Sequence, residues 1–163
     1  MKHNKLCKCV VNSLEQTERF GRLLGSLCLP GDILCLKGDL GAGKTTLTQS
    51  IARGVGVDHQ EYITSPSYAI FHEYRGRLTL YHMDFYRLNS SDDVVAMGLE
   101  EYFYLDGVTV IEWYQKASDI IPPGHLLLEL EIVNEQSRSI CCSSSSVDWT
   151  KRIETCIEFS KPC

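Results

Sequence analysis

The chain changes hydrophobic period as it runs, and each change marks an element. Positions 8–12 alternate as a short strand. Ser13 then opens a stretch in which Leu14, Phe20, Leu23, Leu24 and Leu27 recur at helical spacing. Gln16, three residues after Ser13, completes a capping box, so the spacing predicts a helix over 13–27. Pro30-Gly31 turns the chain into 32–37, a short unbroken apolar run of the kind buried on both faces. A glycine-rich turn follows, then a helix over 45–53 that Gly54-Val55-Gly56 ends. After a polar stretch over 58–67, segments 68–74 and 78–85 alternate about Arg75-Gly76-Arg77 and predict a β-hairpin. In its second strand Leu78, Leu80, His82 and Asp84 share one face, and Thr79, Tyr81, Met83 and Phe85 the other. A helix is expected over 91–103, with Asp92 and Asp93 at its positive end. Positions 108–111 read as an apolar strand ending in Glu112-Trp113. Pro122-Pro123-Gly124 breaks the chain before a strand over 126–133. The Ser-rich stretch 137–146 reads as a hairpin or exposed loop, and 153–159 as a last strand. Strands and helices in this order predict an α/β fold: a mixed sheet with a parallel core, antiparallel hairpin additions and flanking helices, in one domain over 1–163.

The glycine-rich turn carries the chemistry. Gly38-Asp39-Leu40-Gly41-Ala42-Gly43-Lys44-Thr45 matches the pattern G-x-x-x-x-G-K-[ST] at every position. Backbone N–H groups can fold around a polyphosphate only where side chains do not block the approach and where positive φ is tolerated, so the pattern needs glycines. In such a loop Lys44 reaches the β- and γ-phosphates as a point charge. The Thr45 hydroxyl ligates Mg²⁺, and the following helix adds its N-terminal partial charge. Chance would produce the pattern in roughly one chain in 200 of this length. The buried strand before it and the helix after it make accident rarer still, so the fold expected is that of a P-loop NTPase.

Phosphate transfer also needs an acidic residue at the end of a neighbouring apolar strand. Asp84 and Glu112 both stand there, and parallel strands deliver such residues to one crevice. His82 reads either as a packed core residue or as an actor beside them. Trp113 either stacks on a base or partner or simply packs. The hydroxyls of Thr64-Ser65-Pro66-Ser67 could meet Mg²⁺ or a γ-phosphate as a sensing loop. A guanine-reading Asn-Lys-x-Asp is absent, since Asn89-Ser90-Ser91-Asp92 lacks the lysine. No Arg-rich lid for a second phosphorylated substrate is found either. Both absences favour ATP hydrolysis or ATP-gated binding. A small-molecule kinase and a nucleotide-gated binding module that needs no hydrolysis are the rival readings.

Composition narrows this further. A net charge of −5 and a pI of about 5.5 exclude a broad basic face for nucleic acid. No apolar run approaches about 18 residues, and the first residues lead into no signal-peptide core, so a soluble, cytoplasmic chain is expected. Eight cysteines, at 7, 9, 28, 35, 141, 142, 156 and 163, form no C-x-x-C pair and are read as reduced thiols rather than a disulfide framework or metal site.

Four motifs in order resemble one family. They are the phosphate loop with its extra threonine (38–46), Ser65-Pro66-Ser67-Tyr68, His82-Met83-Asp84-Phe85-Tyr86-Arg87, and Ile111-Glu112-Trp113. Together they are similar to the TsaE family, formerly the YjeE type, of the tRNA threonylcarbamoyladenosine (t6A) pathway, over about 13–131. The resemblance implies a cytoplasmic ATPase using ATP and Mg²⁺ that works with two partners, the TsaD transferase and its inactive paralogue TsaB, and meets tRNA only through them, with no membrane. It implies that Asp39, Leu40, Gly41, Ala42, Gly43, Lys44, Thr45 and Thr46 bind the nucleotide, together with Ser67 and Arg138. Lys44, Glu112 and Asp84 are the implied catalytic set, and Thr45, Glu112 and Asp84 the implied metal set. Ser67 stands where the family carries Thr, which keeps the hydroxyl. Gln115 stands where an acidic residue is common.

Overall fold

The strand Ile33–Lys37 (β2) lies at the centre of the molecule because both of its faces are apolar: Leu34 and Leu36 face one core, Ile33 and Cys35 the other. The computed structural model describes residues 4–160, with side chains to Cys156. The elements are β1 (Asn4–Val11), α1 (Leu14–Ser26), β2, α2 (Lys44–Val55), β3 (Phe71–Tyr74), β4 (Leu80–Asp84), α3 (Ser91–Ala96), β5 (Val108–Glu112), β6 (Leu126–Ile132), β7 (Arg138–Ser144) and α4 (Val147–Ser160). Short 3₁₀ turns occupy Leu99–Tyr104 and Tyr114–Ala117.

The seven strands form one sheet in the order β1-β7-β6-β2-β5-β4-β3. β6, β2, β5 and β4 are mutually parallel, while β3, β7 and β1 add antiparallel pairings at the two sides. This is the mixed α/β sheet expected from the sequence. Leu80, Val108, Val110, Leu126 and Leu128 point to the face that carries α1, α2 and α4. Met83, Ile111 and Leu127 point to the opposite face, against α3 and the turn over Leu99–Tyr104. α2 and β3 lie between β2 and β4 in the chain, yet in the sheet β5 sits between them, which sets the carboxyl ends of β2, β5 and β4 side by side.

Local signals explain most boundaries. Ser13 Oγ caps α1 by accepting from Gln16 N at 3.2 Å, and Gln16 Oε1 reaches back one residue beyond the cap, accepting from Asn12 N at 2.8 Å. Leu14, expected on the buried stripe, is 61% exposed; Phe20, Gly21, Leu24 and Gly25 make the contact face instead. The expected hairpin forms as β3–β4, with 68–70 belonging to the preceding turn.

Two expectations are corrected and a third is narrowed. The helix over 91–103 is interrupted at Gly98, which takes φ +70°, so a short helix and a 3₁₀ turn replace it. Of the two readings of the Ser-rich segment the exposed loop is excluded and the hairpin holds: β7 pairs antiparallel with β6 and lies between β1 and β6, with Ser139, Ser143 and Ser144 buried. The segment 153–159 is helical, within α4, because Trp149, Ile153 and Cys156 present one buried stripe to the sheet. No helix among the described residues is long and apolar enough to cross a membrane.

Candidate nucleotide site

The loop over 38–45 joins the end of β2 to the first turn of α2. Its glycines do different work. A Cβ on Gly38 would meet the carbonyl oxygen of Leu130 at 2.7 Å, so Gly38 lets the loop pass close to β6. Gly41 (φ +80°) and Gly43 (φ +99°) take the left-handed conformation and face open space, which leaves one side of the loop bare of side chains. Lys44 Nζ donates to the carbonyl oxygens of Gly38 (2.7 Å) and Asp39 (3.0 Å) and sits 4.3 Å from the centre of the Trp113 ring. Burial lowers the pKa of Lys44, while the carboxylates of Glu112, Asp84 and Asp39 act the other way.

The acidic residues arrive from the strand ends. Glu112 pairs in register with Leu36 on one side and Asp84 on the other, so both carboxylates stand on the α2 face beside the loop. They are 2% and 3% exposed. Thr45 Oγ1, on the first turn of α2, lies 3.2 Å from both Glu112 oxygens and donates to that carboxylate. His82 Nε2 donates to Glu112 Oε1 at 2.9 Å from a fully buried position. A carboxylate oxygen accepts, so Nε2 carries the proton; Nδ1 has no partner among the described residues. Asp84 is held from two directions: Ser65 Oγ donates to Oδ2 at 2.5 Å, and the Tyr86 N–H donates to Oδ1 at 2.9 Å.

Strain gathers here as well. The only non-glycine residues at positive φ among those described are Ile70 (+69°) and Trp113 (+57°). For β-branched Ile70 this is an unfavourable conformation. The Ile70 carbonyl accepts from Asp84 N at 3.0 Å and its N–H donates to Pro66 O, so the strained residue ties the Ser65–Ser67 loop to the end of β4. Trp113 at positive φ turns its ring back over Lys44 and against Tyr86, with ring centres 5.0 Å apart.

A cleft of about 450 Å³ gathers Leu40, Gly41, Gly43, Lys44, Thr45, Thr46, Ser67, Asp84 and Glu112, all sequence-predicted, together with Ser65, Tyr86, Arg87 and Trp113. Arg138 is not in it. That side chain lies in a neighbouring cleft of about 480 Å³ with Ala42, Ser13, Leu14 and Thr17, which shares Gly43 and Thr46 with the first; Arg138 Nε donates to Ala42 O at 3.1 Å. Asp39 borders a third cleft on the Trp113 side, with Gln115. Sequence reasoning left His82 undecided and missed Arg87, whose guanidinium stacks 3.9 Å from the centre of the Tyr68 ring. The signal for His82 was its place two residues before Asp84, on the same strand face.

The donor set is all oxygen: two carboxylates and the hydroxyls of Thr45 and Ser65. Hard divalent cations such as Mg²⁺ take such ligands, usually through one or two carboxylates with waters and substrate phosphates completing the shell. The open face of the glycine loop lies in the same cleft, so the residues present fit a magnesium–polyphosphate pair.

Known proteins sort this geometry. A family profile described as "Threonylcarbamoyl adenosine biosynthesis protein TsaE" matches residues 11–140. The chain belongs to the TsaE family. The match places it in t6A biosynthesis. It is similar to the tRNA threonylcarbamoyladenosine biosynthesis protein TsaE of Treponema pallidum (strain Nichols), with 40% identity over 82% of this chain and 97% of the relative. TsaE of Bacillus subtilis (strain 168) is 39% identical over 77% of this chain and 78% of the relative. The crystal structure of B. subtilis YdiB superposes with a TM-score of 0.82 at 30% identity and covers 99% of both chains. All four TsaE-like motifs, from the phosphate loop to Ile111-Glu112-Trp113, lie inside the matched segment.

Proposed function

We propose that this TsaE chain is the Mg²⁺-dependent ATPase of the t6A machinery, and that its nucleotide cycle supports turnover of a cytoplasmic TsaB–TsaD transferase complex. The observation that carries the reading is the meeting of Thr45, Glu112 and Asp84 from three separate elements at the open face of a glycine loop. The loop backbone and Lys44 bind the polyphosphate. Lys44 exchanges its contacts with the neutral carbonyl oxygens of Gly38 and Asp39 for anionic phosphate oxygens, which bind the ammonium more strongly. Thr45, Glu112 and Asp84 hold magnesium directly or through water. When bound, the ion neutralises charge on the phosphate oxygens. Glu112 orients the attacking water, and His82 fixes which way that carboxylate faces. The cleft that contains Arg138, Leu14 and Thr17 opens from the same loop and is partly apolar, which suits the nucleoside end of ATP.

Among the described residues Arg87 is stacked on Tyr68 and Arg138 is engaged with Ala42 O, so neither stands free to act as an arginine finger. Slow hydrolysis by the isolated chain follows, with acceleration on assembly; an arginine supplied in trans is worth about 10³–10⁵ in rate in other systems. The partners take the tRNA, in keeping with the acidic balance of this chain.

Two substitutions test the reading. Lys44→Ala should abolish nucleotide binding and t6A formation in the reconstituted system. Glu112→Gln should retain nucleotide while lowering hydrolysis by roughly 10²–10⁴-fold, and t6A turnover should fall with it. Full t6A turnover with Glu112→Gln would mean that occupancy alone suffices and that hydrolysis is not the working step.

A further inference from the structure

Seven cysteines fall among the described residues, all as free thiols, and five of them gather at one side of the sheet. β1 contributes Cys7 and Cys9, β7 contributes Cys141 and Cys142, and α4 lays Cys156 across the same region. Cys142 and Cys156 belong to the core on the α4 side, and the partly buried Cys7 and Cys9 pack against it. Among the described residues no three His, Cys, Asp or Glu side chains converge to hold a metal ion, so the chemistry open to these thiols is with one another.

One pair is set apart by register. Cys7 and Cys142 are direct partners across the antiparallel β1–β7 ladder. The register slips between Lys5 and Cys7, which makes Leu6 an extra residue on the edge strand, immediately beside the pair. Directly opposed residues in such a ladder hold their Cβ atoms about 4.5–5.5 Å apart, against about 3.5–4.5 Å in a disulfide. Closing the pair therefore takes a movement of about 1 Å, and a bulged edge strand yields more readily than a central one.

The two sulfurs also differ. The Cys142 thiol hydrogen-bonds the Cys7 sulfur, which holds the Cys7 pKa below the ordinary thiol range; burial opposes this and the Lys5 charge assists it. The same hydrogen bond, with burial, raises Cys142. Burial pushes Cys9 up to about 11 and also raises Cys141. Cys7 is half-buried and reachable, whereas Cys142 is fully buried behind it. Low pKa with partial exposure is what makes a thiol reactive.

We propose that Cys7 and Cys142 are a reversible modification site, a thiol pair that hydroperoxides convert to a cross-strand disulfide. The Cys7 thiolate attacks a peroxide oxygen, the O–O bond breaks, and Cys7 becomes a sulfenic acid while the other oxygen leaves as water. The Cys142 sulfur then attacks the Cys7 sulfur, the S–O bond breaks, and the hydroxyl leaves as a second water with the Cys142 proton. Two thiols lose two electrons and one hydrogen peroxide becomes two waters. A disulfide of this kind in a reducing compartment is transient and redox-sensing rather than structural. The ladder that carries the pair ends at Val11 and Arg138, and Arg138 holds Ala42 of the phosphate loop.

Reduced full-length protein treated with hydrogen peroxide near neutral pH, capped with N-ethylmaleimide and mapped by peptide mass spectrometry tests this. A Cys7–Cys142 cross-linked peptide that dithiothreitol removes is expected. In the untreated protein, iodoacetamide should alkylate Cys7 about tenfold faster than Cys9 or Cys141, as a lowered against a raised thiol pKa dictates. In Cys142→Ala the oxidised Cys7 should stop at a sulfenic acid trapped by dimedone. Cross-links that map to other pairs, or no cross-link together with Cys7 reacting no faster than Cys9, overturn the proposal. The mapping and the rates come from the unsubstituted protein and do not involve nucleotide, so they stand apart from the ATPase reading.

Discussion

Glu112 is held by two side chains from two different elements, the Thr45 hydroxyl and the His82 imidazole, and this leaves its carboxylate little freedom to rotate. A hydrogen bond to a charged group is worth about 1.5–3 kcal/mol. His82→Leu should therefore lower kcat for ATP by roughly 10- to 100-fold while nucleotide affinity changes little. His82→Gln, which can present an N–H toward the same oxygen, should recover much of the loss. Steady-state kinetics with direct binding measurements separate the two; a general packing defect would weaken binding and rate together and would not be rescued by Gln. The meeting of Lys44, Thr45, Asp84 and Glu112 in one cleft was legible in the sequence because each sits in a short contiguous motif or at the end of an apolar run. The His82–Glu112 contact was not, because it depends on which strand neighbours β4 and in which register, and those are long-range facts. Ser65 and Asp84 show the same limit: the hydroxyl loop was noticed, but its landing on a particular carboxylate oxygen rests on the turn that strained Ile70 makes.

The glycine pair between α1 and α2 sets how closely the helix that carries Lys44 and Thr45 can sit against its neighbour. A Cβ on Gly25 would meet Ile51 O at 2.1 Å and Gly54 Cα at 2.9 Å. Gly25→Ala should cost about 1–3 kcal/mol through overpacking, seen as a Tm lower by several degrees; an unchanged Tm would show that the helices separate freely. At the other end of the chain, α4 buries Trp149 against the sheet, and Arg152 pairs with Asp32 while stacking 3.7 Å from the centre of the Trp149 ring. Trp149→Ala should cost about 3–5 kcal/mol, measured by denaturant unfolding, with Lys44, Thr45 and Glu112 untouched. This helix was misread as a strand because Ile153, Thr155, Ile157 and Phe159 favour strands locally. The Trp149–Ile153–Cys156 spacing held the opposite signal, and the packing against β1 and α1 decides the matter. β7 was left between hairpin and loop for the converse reason: serine is a weak strand former alone, yet between β1 and β6 its backbone groups are paired, and Ile140 and Cys142 enter the core on the α4 side.

Over the whole molecule the sheet order does what no single element can. Interposing β5 between β2 and β4 puts the phosphate loop, Glu112 and Asp84 on one edge of the parallel core, where ligands bind in folds of this class. The fold class was readable from alternating strand and helix periods; the order of strands was not, since it is fixed by the crossovers. A ligand that binds only the folded chain stabilises it by about 2.7 kcal/mol at a hundredfold excess over Kd. ATP with Mg²⁺ should therefore raise Tm by roughly 5–10 °C for a chain of this length, whereas ATP with EDTA, or ATP with Mg²⁺ added to Lys44→Ala, should show no shift. The most direct test is isothermal titration calorimetry of ATP plus Mg²⁺ into the purified, folded chain, with Lys44→Ala in parallel. Saturable uptake that requires Mg²⁺ and disappears in Lys44→Ala is the predicted result. A folded wild-type chain that takes up no nucleotide, or a Lys44→Ala chain that binds it equally well, would contradict the account.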